Sequence, residues 1–204
     1  MRIRTVLLYI VLMAWGTDVD AQLVGNFDKG AAEVSSSDYT IDDDDNIVVS
    51  EIIEGINANA ADIYAAAYDY ISNAYKETKY KIIQDNAERG VIVGQGHYLN
   101  FCTMSVFPNA YYLCADFLLR VDAKDNRARI SLYVREYGGQ RQNINVTEEL
   151  ADKIVDFPPV NKSSNERERL YTTAFPMLIE RMKATLDDVK EALGKTVSIS
   201  NDDW

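Results

Sequence analysis

The spacing of hydrophobic residues changes several times along the chain, and each change predicts the start of a new helix or strand. Residues 47–53 are rich in β-branched side chains and predict a strand. From Asn57 or Asn59, either of which can cap a helix, apolar residues recur every three or four positions to about Tyr75. The small Ala65–Ala67 stretch would let a sheet approach this helix closely. The predicted buried stripe consists of Ile63, Ala67, Tyr70, Ile71 and Ala74.

After the helix the period changes to two, which is typical of paired strands. Tyr80–Gln84 predicts a strand, Asp85–Gly90 its turn and Val91–Tyr98 the returning strand. Gly90, Gly94 and Gly96 lie at the start of that returning strand or within it, and no strand-to-helix loop with a Lys-Ser/Thr pair follows them. They therefore indicate a bulge or a close backbone approach rather than a phosphate-binding loop.

A further hairpin is predicted from its register, in which Phe117–Asp122 pairs with Arg129–Val134 around an Asp125-Asn126 turn. On one face all of the pairs are then apolar: Phe117 with Val134, Leu119 with Leu132, and Val121 with Ile130. On the other face opposite charges meet: Asp122 with Arg129, and Asp116 with Arg135. Pattern, turn and charge therefore agree on one register.

Residues 140–204 are predicted to form a helical extension. Thr147 can cap a short helix over residues 148–155, and a capping-box pattern begins a longer helix over residues 165–194. Pro176 lies inside the longer helix and predicts a kink or a break there. The apolar stripe of the longer helix consists of Tyr171, Phe175, Leu178, Met182, Leu186, Val189 and Leu193.

The N-terminal residues 1–21 predict a cleaved export signal. Arg2 and Arg4 give a positive start, Val6–Trp15 is an apolar run, and Val19–Ala21 offers small residues to a signal peptidase. An uncleaved anchor is the alternative, but the apolar run is about half the length that a membrane-spanning helix needs. We therefore expect a protein exported to the periplasm or the cell surface.

Residues 22–46 are poor in apolar side chains and are expected to form a flexible acidic leader. The Asp42–Asp45 run does not fit a calcium loop, because Ile47 and Ile53 occupy the glycine and glutamate positions of an EF-hand. A solvated acidic turn is the expected structure.

The composition restricts the partners. A formal net charge of -11 opposes binding to nucleic acid or to anionic lipid. A hydrophobic content of 47% with thirteen Tyr indicates a folded chain with aromatic side chains for a core or an interaction surface. The expected partner is a protein or a glycan.

Little in the sequence indicates catalysis. His97 is the single histidine, so it lacks a second nitrogen ligand for a metal. Cys102 lies five residues further along, and an odd separation in one strand points the two side chains to opposite faces. The acidic residues do not single out one catalytic pair. We expect no catalytic residue, no metal site and no cofactor.

Cys102 and Cys114 flank a turn centred on Pro108. A hairpin there would place the two cysteines opposite each other, where an oxidising compartment could close a cross-strand disulfide. Two separate buried thiols are the alternative.

The segment from Ile47 to Tyr137 resembles a family of exported bacterial domains of unknown function with a TATA-binding-protein-like fold. The resemblance lies in the helix Ala61–Tyr75, in Ile82–Asp85 and Gly90–Gly96, and in the Asp122–Arg129 hairpin. It implies an α+β fold with a curved antiparallel sheet, a helix packed on one face, and a place in the bacterial envelope. It supplies no catalytic residues.

We expect four segments: the signal at 1–21, the leader at 22–46, an α+β domain at 47–139 and the helical extension at 140–204. The predicted function is that of an exported, non-catalytic binding or accessory domain. A cystatin-like protease inhibitor is one alternative, because Val93–Gly96 weakly resembles the protease-binding loop of cystatins. A carboxylate-dependent hydrolase is the other.

Overall fold

The computed structural model of the 204-residue chain describes residues 24–25, 34–74, 81–106, 108–143, 146–153 and 166–200. The predicted export signal lies outside the described residues. No described helix is both long enough and apolar enough to cross a lipid bilayer.

Within the described residues nine strands form one sheet, and two α-helices accompany it. The strands are β1 Val24–Gly25, β2 Thr40–Ile41, β3 Ile47–Glu54, β4 Lys81–Asn86, β5 Val91–Val106, β6 Asn109–Lys124, β7 Arg127–Val134, β8 Tyr137–Gln142 and β9 Thr147–Lys153. The helices are α1 Ala60–Ala74 and α2 Glu166–Ser200, and a 3₁₀ turn spans Ala87–Arg89. The predicted α+β class is confirmed.

Strand β6 is the centre of the sheet. The strand order is β1-β5-β6-β7-β3-β2, with β4 also paired to β5, β8 to β6, and β9 to β8. One edge of β6 pairs with β5, and the other edge pairs first with β8 and then with β7 along its length. All of these pairs are antiparallel except the short pairing of β1 with β5.

Both helices contact the sheet and each other on one side. Asn59 caps the N-terminus of helix α1, because the Asp62 N–H donates to Asn59 Oδ1 at 2.9 Å, and Asn59 Nδ2 in turn donates to the Asp62 carboxylate. The predicted apolar stripe of α2 is confirmed, since all seven of its members are buried. Residues of the sheet, α1 and α2 form a single apolar core.

Gly94 of β5 explains how closely α1 approaches the sheet. A Cβ atom at this position would lie 2.7 Å from Cγ2 of Ile71 on α1. Carbon atoms in contact are normally about 3.5–4.0 Å apart, so only glycine leaves room for the helix. The close backbone approach expected at Gly94 is confirmed.

The predicted β6–β7 register is confirmed by every pair of that ladder, from Leu118 with Tyr133 to Lys124 with Arg127. On the open face Asp122 accepts hydrogen bonds from Arg120 and from Arg129, the partner that the register predicted. The ladder ends at Leu118, so it does not include the predicted pairs of Phe117 with Val134 and of Asp116 with Arg135, and Asp116 contacts His97 instead.

Two predictions for the C-terminal part are wrong. Residues 147–153 form strand β9 instead of a short helix, because the free edge of β8 supplies backbone partners and Leu150 is buried there at 6% exposure. Helix α2 does not end near Gly194 but continues to Ser200, and Pro176 lies within it.

The leader is only partly as expected. Its described residues are 24–25, which form β1 and pair with β5, and 34–46, which lie against the body of the protein. In the second stretch the Tyr39 ring packs edge-on against Phe175 at 5.1 Å, and Lys183 Nζ lies 2.6 Å from Asp38 Oδ1. The predicted acidic turn is present, since Asp42 Oδ1 accepts from the Asn46 N–H at 2.8 Å. This part of the predicted flexible leader is therefore folded.

Candidate functional site

The face of the sheet opposite the helices contains an open groove of about 740 Å³. It lies where β6 changes its partner from β7 to β8, next to an irregularity in β5. Fourteen residues line it: His97, Leu99, Asn100, Tyr112, Cys114, Ala115, Asp116, Arg135, Glu136, Tyr137, Gly138, Gly139, Gln140 and Leu150.

Strand alternation places the side chains of β6 in this groove. From Tyr111 to Ala123 the odd-numbered residues of β6 are buried against the helices, and the even-numbered residues are more exposed. Tyr112, Cys114 and Asp116 therefore point away from the core, and His97 of β5 lies opposite Asp116.

A bulge in β5 shapes one wall of the groove. Tyr98 pairs with Ala115 and Cys102 with Leu113, so three residues of β5 lie opposite Cys114 alone. The middle one, Asn100, has a φ of 48°, a left-handed conformation that asparagine tolerates better than most residues. Its neighbour Leu99 is 70% exposed as a result.

The register of the β5–β6 hairpin, which starts with Val106 opposite Asn109, contradicts the expected placement of Cys102 opposite Cys114. Both cysteines are free, and Leu113 rather than Cys114 lies opposite Cys102. A register that differs by one residue turns a side chain to the other face of the sheet. Cys102 is therefore buried in the core, where desolvation raises the pKa of its thiol to about 12, whereas Cys114 is half-buried on the groove side.

Cys114 is held by the bulge. The Asn100 backbone N–H donates to Cys114 Sγ at 3.3 Å, and the thiol can donate to Asn100 Oδ1 at 3.6 Å.

His97 and Asp116 form a cross-strand pair at the rim of the groove. His97 Nδ1 lies 2.7 Å from Asp116 Oδ1, and the two side chains are 44% and 71% exposed. An exposed pair of this kind stabilises a fold little, and its main effect is to fix the orientation of the imidazole.

The far wall of the groove is formed by the corner between β7 and β8. Arg135 and Glu136 occupy this corner, and both are exposed. Strand β8 then approaches β6 very closely, because a Cβ atom on Gly139 would lie 1.8 Å from the Tyr112 carbonyl oxygen. Only glycine fits here, so Gly139 keeps β8 in place beneath the groove.

The site has limited chemical possibilities. Among the described residues no group of three or more His, Cys, Asp and Glu side chains is arranged to hold a metal ion. The two groove carboxylates are Asp116, which His97 already contacts, and Glu136. The cystatin-like segment Val93–Gly96 lies inside β5 and pairs with β6 on one side, so it is not a hairpin tip.

The sequence analysis does not predict that His97, Cys114 and Asp116 line one groove. It relates His97 only to Cys102, and it relates Cys114 to Cys102 either as a disulfide or as two separate thiols. The period-two alternation of Tyr112, Cys114 and Asp116 was a visible signal that these three share a face. The pairing of β5 with β6, which places His97 opposite Asp116, and the bulge in β5 cannot be recognised from the local spacing of hydrophobic residues.

Comparison with protein families identifies the middle of the chain. Residues 50–137 match the family model described as "Domain of unknown function (DUF4468) with TBP-like fold". The resemblance expected from the sequence is confirmed over this segment. No match was found among curated proteins.

Two solved structures show the same fold. A DUF4468 family protein from Bacteroides ovatus ATCC 8483 is similar with a TM-score of 0.57 and 17% identity, over 78% of this chain and 92% of its own. A TBP-like protein from Parabacteroides distasonis ATCC 8503 is similar with a TM-score of 0.53 and 15% identity, over 76% of this chain and 96% of its own. Both similarities extend well beyond the segment that the family model matches.

Proposed function

We propose that this chain, whose residues 50–137 form a domain of unknown function with a TBP-like fold, is an exported, non-catalytic binding module of the bacterial cell envelope. The single observation that supports this proposal most is the groove on the open face of the sheet. The helices stabilise the fold from one side, and the groove on the other side receives the ligand.

The size and lining of the groove suit a peptide or a glycan. Its volume of about 740 Å³ lies within the usual range of about 300–1,000 Å³ for ligand sites. Leu99 and Tyr112 supply apolar and aromatic contact area, while Asn100, Arg135 and Gln140 supply hydrogen-bonding groups. An aromatic side chain beside convergent polar groups is a common arrangement for recognising an extended ligand.

Three further features agree with this role. Residues 1–21 have the composition of an export signal. The net charge of -11 disfavours nucleic acid, even though the fold shares its name with a DNA-binding protein. The two similar solved structures come from the bacteria Bacteroides ovatus and Parabacteroides distasonis.

The binding role can be tested with the chain that begins at Gln22. Peptide and glycan arrays would select a ligand, and titration calorimetry would then compare variants. Leu99→Ser and Arg135→Gln should each weaken binding at least about tenfold, as expected for central contact residues. Ile52→Ser is the matched control, because Ile52 is 60% exposed and lies outside the groove.

Two outcomes would contradict the proposal. One is the absence of any array ligand with measurable affinity, and the other is equal weakening by Ile52→Ser and Leu99→Ser. Export is tested separately by cell fractionation. Mass spectrometry of the envelope fraction should find a mature N-terminus at Gln22, and recovery of the uncleaved chain in the cytosol would contradict export.

A further inference from the structure

Four positive side chains lie together at one end of the open face of the sheet. Arg120 and Lys124 belong to β6, and Arg127 and Arg129 belong to β7. Lys124 lies directly opposite Arg127, next to the turn of the hairpin. We call Lys124, Arg127 and Arg129 the basic patch. Its charge is opposite in sign to that of the whole chain, which is -11.

The two acidic residues of this hairpin end are engaged elsewhere. Asp122 accepts a hydrogen bond from Arg120 Nη2 at 2.6 Å and lies 3.4 Å from Arg129 Nε. Asp125 Oδ1 accepts from the Ala60 N–H at 2.8 Å, at the start of α1. Neither carboxylate forms an ion pair with the other two cations of the hairpin.

Lys124 and Arg127 have no ion-pair partner within the part of the chain that the structure describes. Glu54 of β3 lies opposite Arg127 in the register, but these two side chains form no ion pair either. Like charges placed directly opposite each other destabilise a sheet. The chain has 32 acidic and 21 basic residues, so a shortage of acids does not explain this arrangement. A local arrangement that opposes stability is typical of a functional site.

The basic patch lies on a firmly held hairpin. The Ile56 N–H donates to the Asn126 carbonyl at 3.0 Å, and the Asn126 N–H donates to the Ala58 carbonyl at 2.9 Å. These bonds fix the turn to the segment between β3 and α1. Positive groups on a backbone that is already ordered lose less entropy when they bind a ligand.

An open pocket of about 160 Å³ lies beside these cations. Ile52 borders it, is 60% exposed and lies opposite Arg129. None of the described lining residues is aromatic, so the pocket offers no ring on which a sugar could stack. A matching ligand carries carboxylates beside an aliphatic side chain. The lining residues are Ile52, Asp122, Lys124, Arg127, Ala128 and Arg129.

We propose that the basic patch docks a short acidic segment of a partner protein, with an aliphatic residue among its Asp or Glu side chains. Arginine clusters recognise acidic motifs because each guanidinium can donate two hydrogen bonds to one carboxylate. At physiological salt, charges more than about 8 Å away are largely screened, so a short segment mainly senses the patch. A long nucleic acid would also meet the acidic remainder of the surface.

The basic patch is separate from the groove proposed above as a ligand site. Asp122 beside the patch and Asp116 in the groove are six positions apart on β6, which corresponds to about 20 Å along a strand. The groove and the pocket share no lining residue. Docking at the patch therefore does not rest on ligand binding in the groove.

Fluorescence anisotropy with the chain that begins at Gln22 tests the docking. The probe is a fluorescein-labelled Glu-Glu-Ile-Glu-Glu peptide in about 0.15 M NaCl, and the comparison is the same peptide with Gln in place of each Glu. The acidic peptide should bind at least about tenfold more tightly than the neutral one. Raising the NaCl concentration to about 1 M should remove most of this difference.

Substitutions then locate the site. A Lys124→Gln/Arg127→Gln double variant should bind the acidic peptide at least about tenfold more weakly. The matched control is Lys81→Gln with Lys195→Gln, which removes the same charge at exposed positions outside the pocket and should leave binding unchanged. Leu99→Ser in the groove should also leave it unchanged. The Lys124→Gln/Arg127→Gln variant should unfold at the same urea concentration as the wild type or a higher one, because repulsion is relieved.

Unlabelled oligogalacturonate and phosphatidylglycerol vesicles serve as competitors that represent other anionic ligands. The proposal is overturned if either displaces the probe more effectively than the unlabelled acidic peptide does. It is also overturned if the double variant binds the peptide like the wild type, if the matched control weakens binding equally, or if the double variant unfolds at a lower urea concentration. Weakening by Leu99→Ser would place the peptide in the groove, so failure here is distinguishable from failure of the groove proposal.

Discussion

Enlarging Gly94 tests how α1 sits on the sheet. In a Gly94→Ala variant the new Cβ would meet Cγ2 of Ile71 at 2.7 Å, about 1 Å closer than carbon atoms normally approach. Cγ2 belongs to a β-branched side chain that is stiff in a helix, so relief requires movement of α1 itself. Overpacking of this kind costs about 1–3 kcal/mol of unfolding free energy.

A compensating substitution makes the test specific. Ile71→Ala alone should cost about 2–5 kcal/mol, because Ile71 is 3% exposed and its removal leaves a cavity. In the double variant the alanine methyl at position 94 enters the space that Ile71 vacated. The combined cost should therefore be at least about 1 kcal/mol less than the sum of the two single costs.

Urea denaturation followed by far-ultraviolet circular dichroism gives the free energy of unfolding of the wild type, the two single variants and the double variant. Gly194→Ala is the control for the same chemical change in open space, since no atom lies within 4 Å of a Cβ at that position. It should stabilise α2 by about 0.5–1 kcal/mol, because Gly194 lies inside a helix. If the Gly94 and Ile71 effects simply add, or if Gly94→Ala is neutral, the close approach of α1 to β5 is wrong.

Two other perturbations follow from buried polar contacts. Tyr137→Phe removes a hydroxyl that donates to the Tyr171 carbonyl at 2.8 Å. Because both residues are 1% exposed, the loss should lower the free energy of unfolding in urea by about 1–2 kcal/mol. An unchanged denaturation midpoint would contradict this. Asp122 is partly desolvated, which raises its pKa, but the hydrogen bond from Arg120 and the charges of Arg120 and Arg129 lower the pKa more, so the net shift is downward. The ionised Asp122 carboxylate therefore adds its full contribution to the free energy of unfolding above its unfolded-state pKa of about 3.9. This contribution is lost as the pH falls through the lower pKa of the folded state. Urea titrations from pH 7 downward should show wild type losing more stability than Asp122→Asn, and parallel curves would rule this out.

The strands that the sequence predicted well are those in which independent signals agree. In the β6–β7 hairpin, the apolar alternation, the Asp125-Asn126 turn and the contact of Asp122 with Arg129 all require one register. Helix α2 was equally clear because its apolar residues recur every three or four positions. Such signals are local, so they can be recognised without knowledge of the partner element.

The errors arise where a distant partner decides the local structure. Residues 147–153 carry no strong period, and they become a strand because β8 offers an unpaired edge. Cys102 and Cys114 were placed opposite each other by an assumed regular hairpin. The ladder near the turn instead ends with Val106 opposite Asn109, and the bulge beyond Tyr98 changes the register again.

The groove depends on these same non-local features. Its walls come from the bulge in β5 and from the corner at Arg135 and Glu136, neither of which a hydrophobic pattern predicts. In the folded chain, strand pairing brings His97 of β5 opposite Asp116 of β6, and both side chains line the groove with Cys114.

The single core has a practical consequence for anyone who shortens this protein. The family match ends at residue 137, yet α2 supplies Leu170, Leu178 and Met182 to the core beneath the sheet. A fragment trimmed to the matched boundaries would keep α1 but expose to water the apolar side chains of the sheet and of α1 that α2 covers, and such exposed apolar surfaces favour aggregation. The smallest piece worth expressing therefore reaches at least the end of α2 at Ser200.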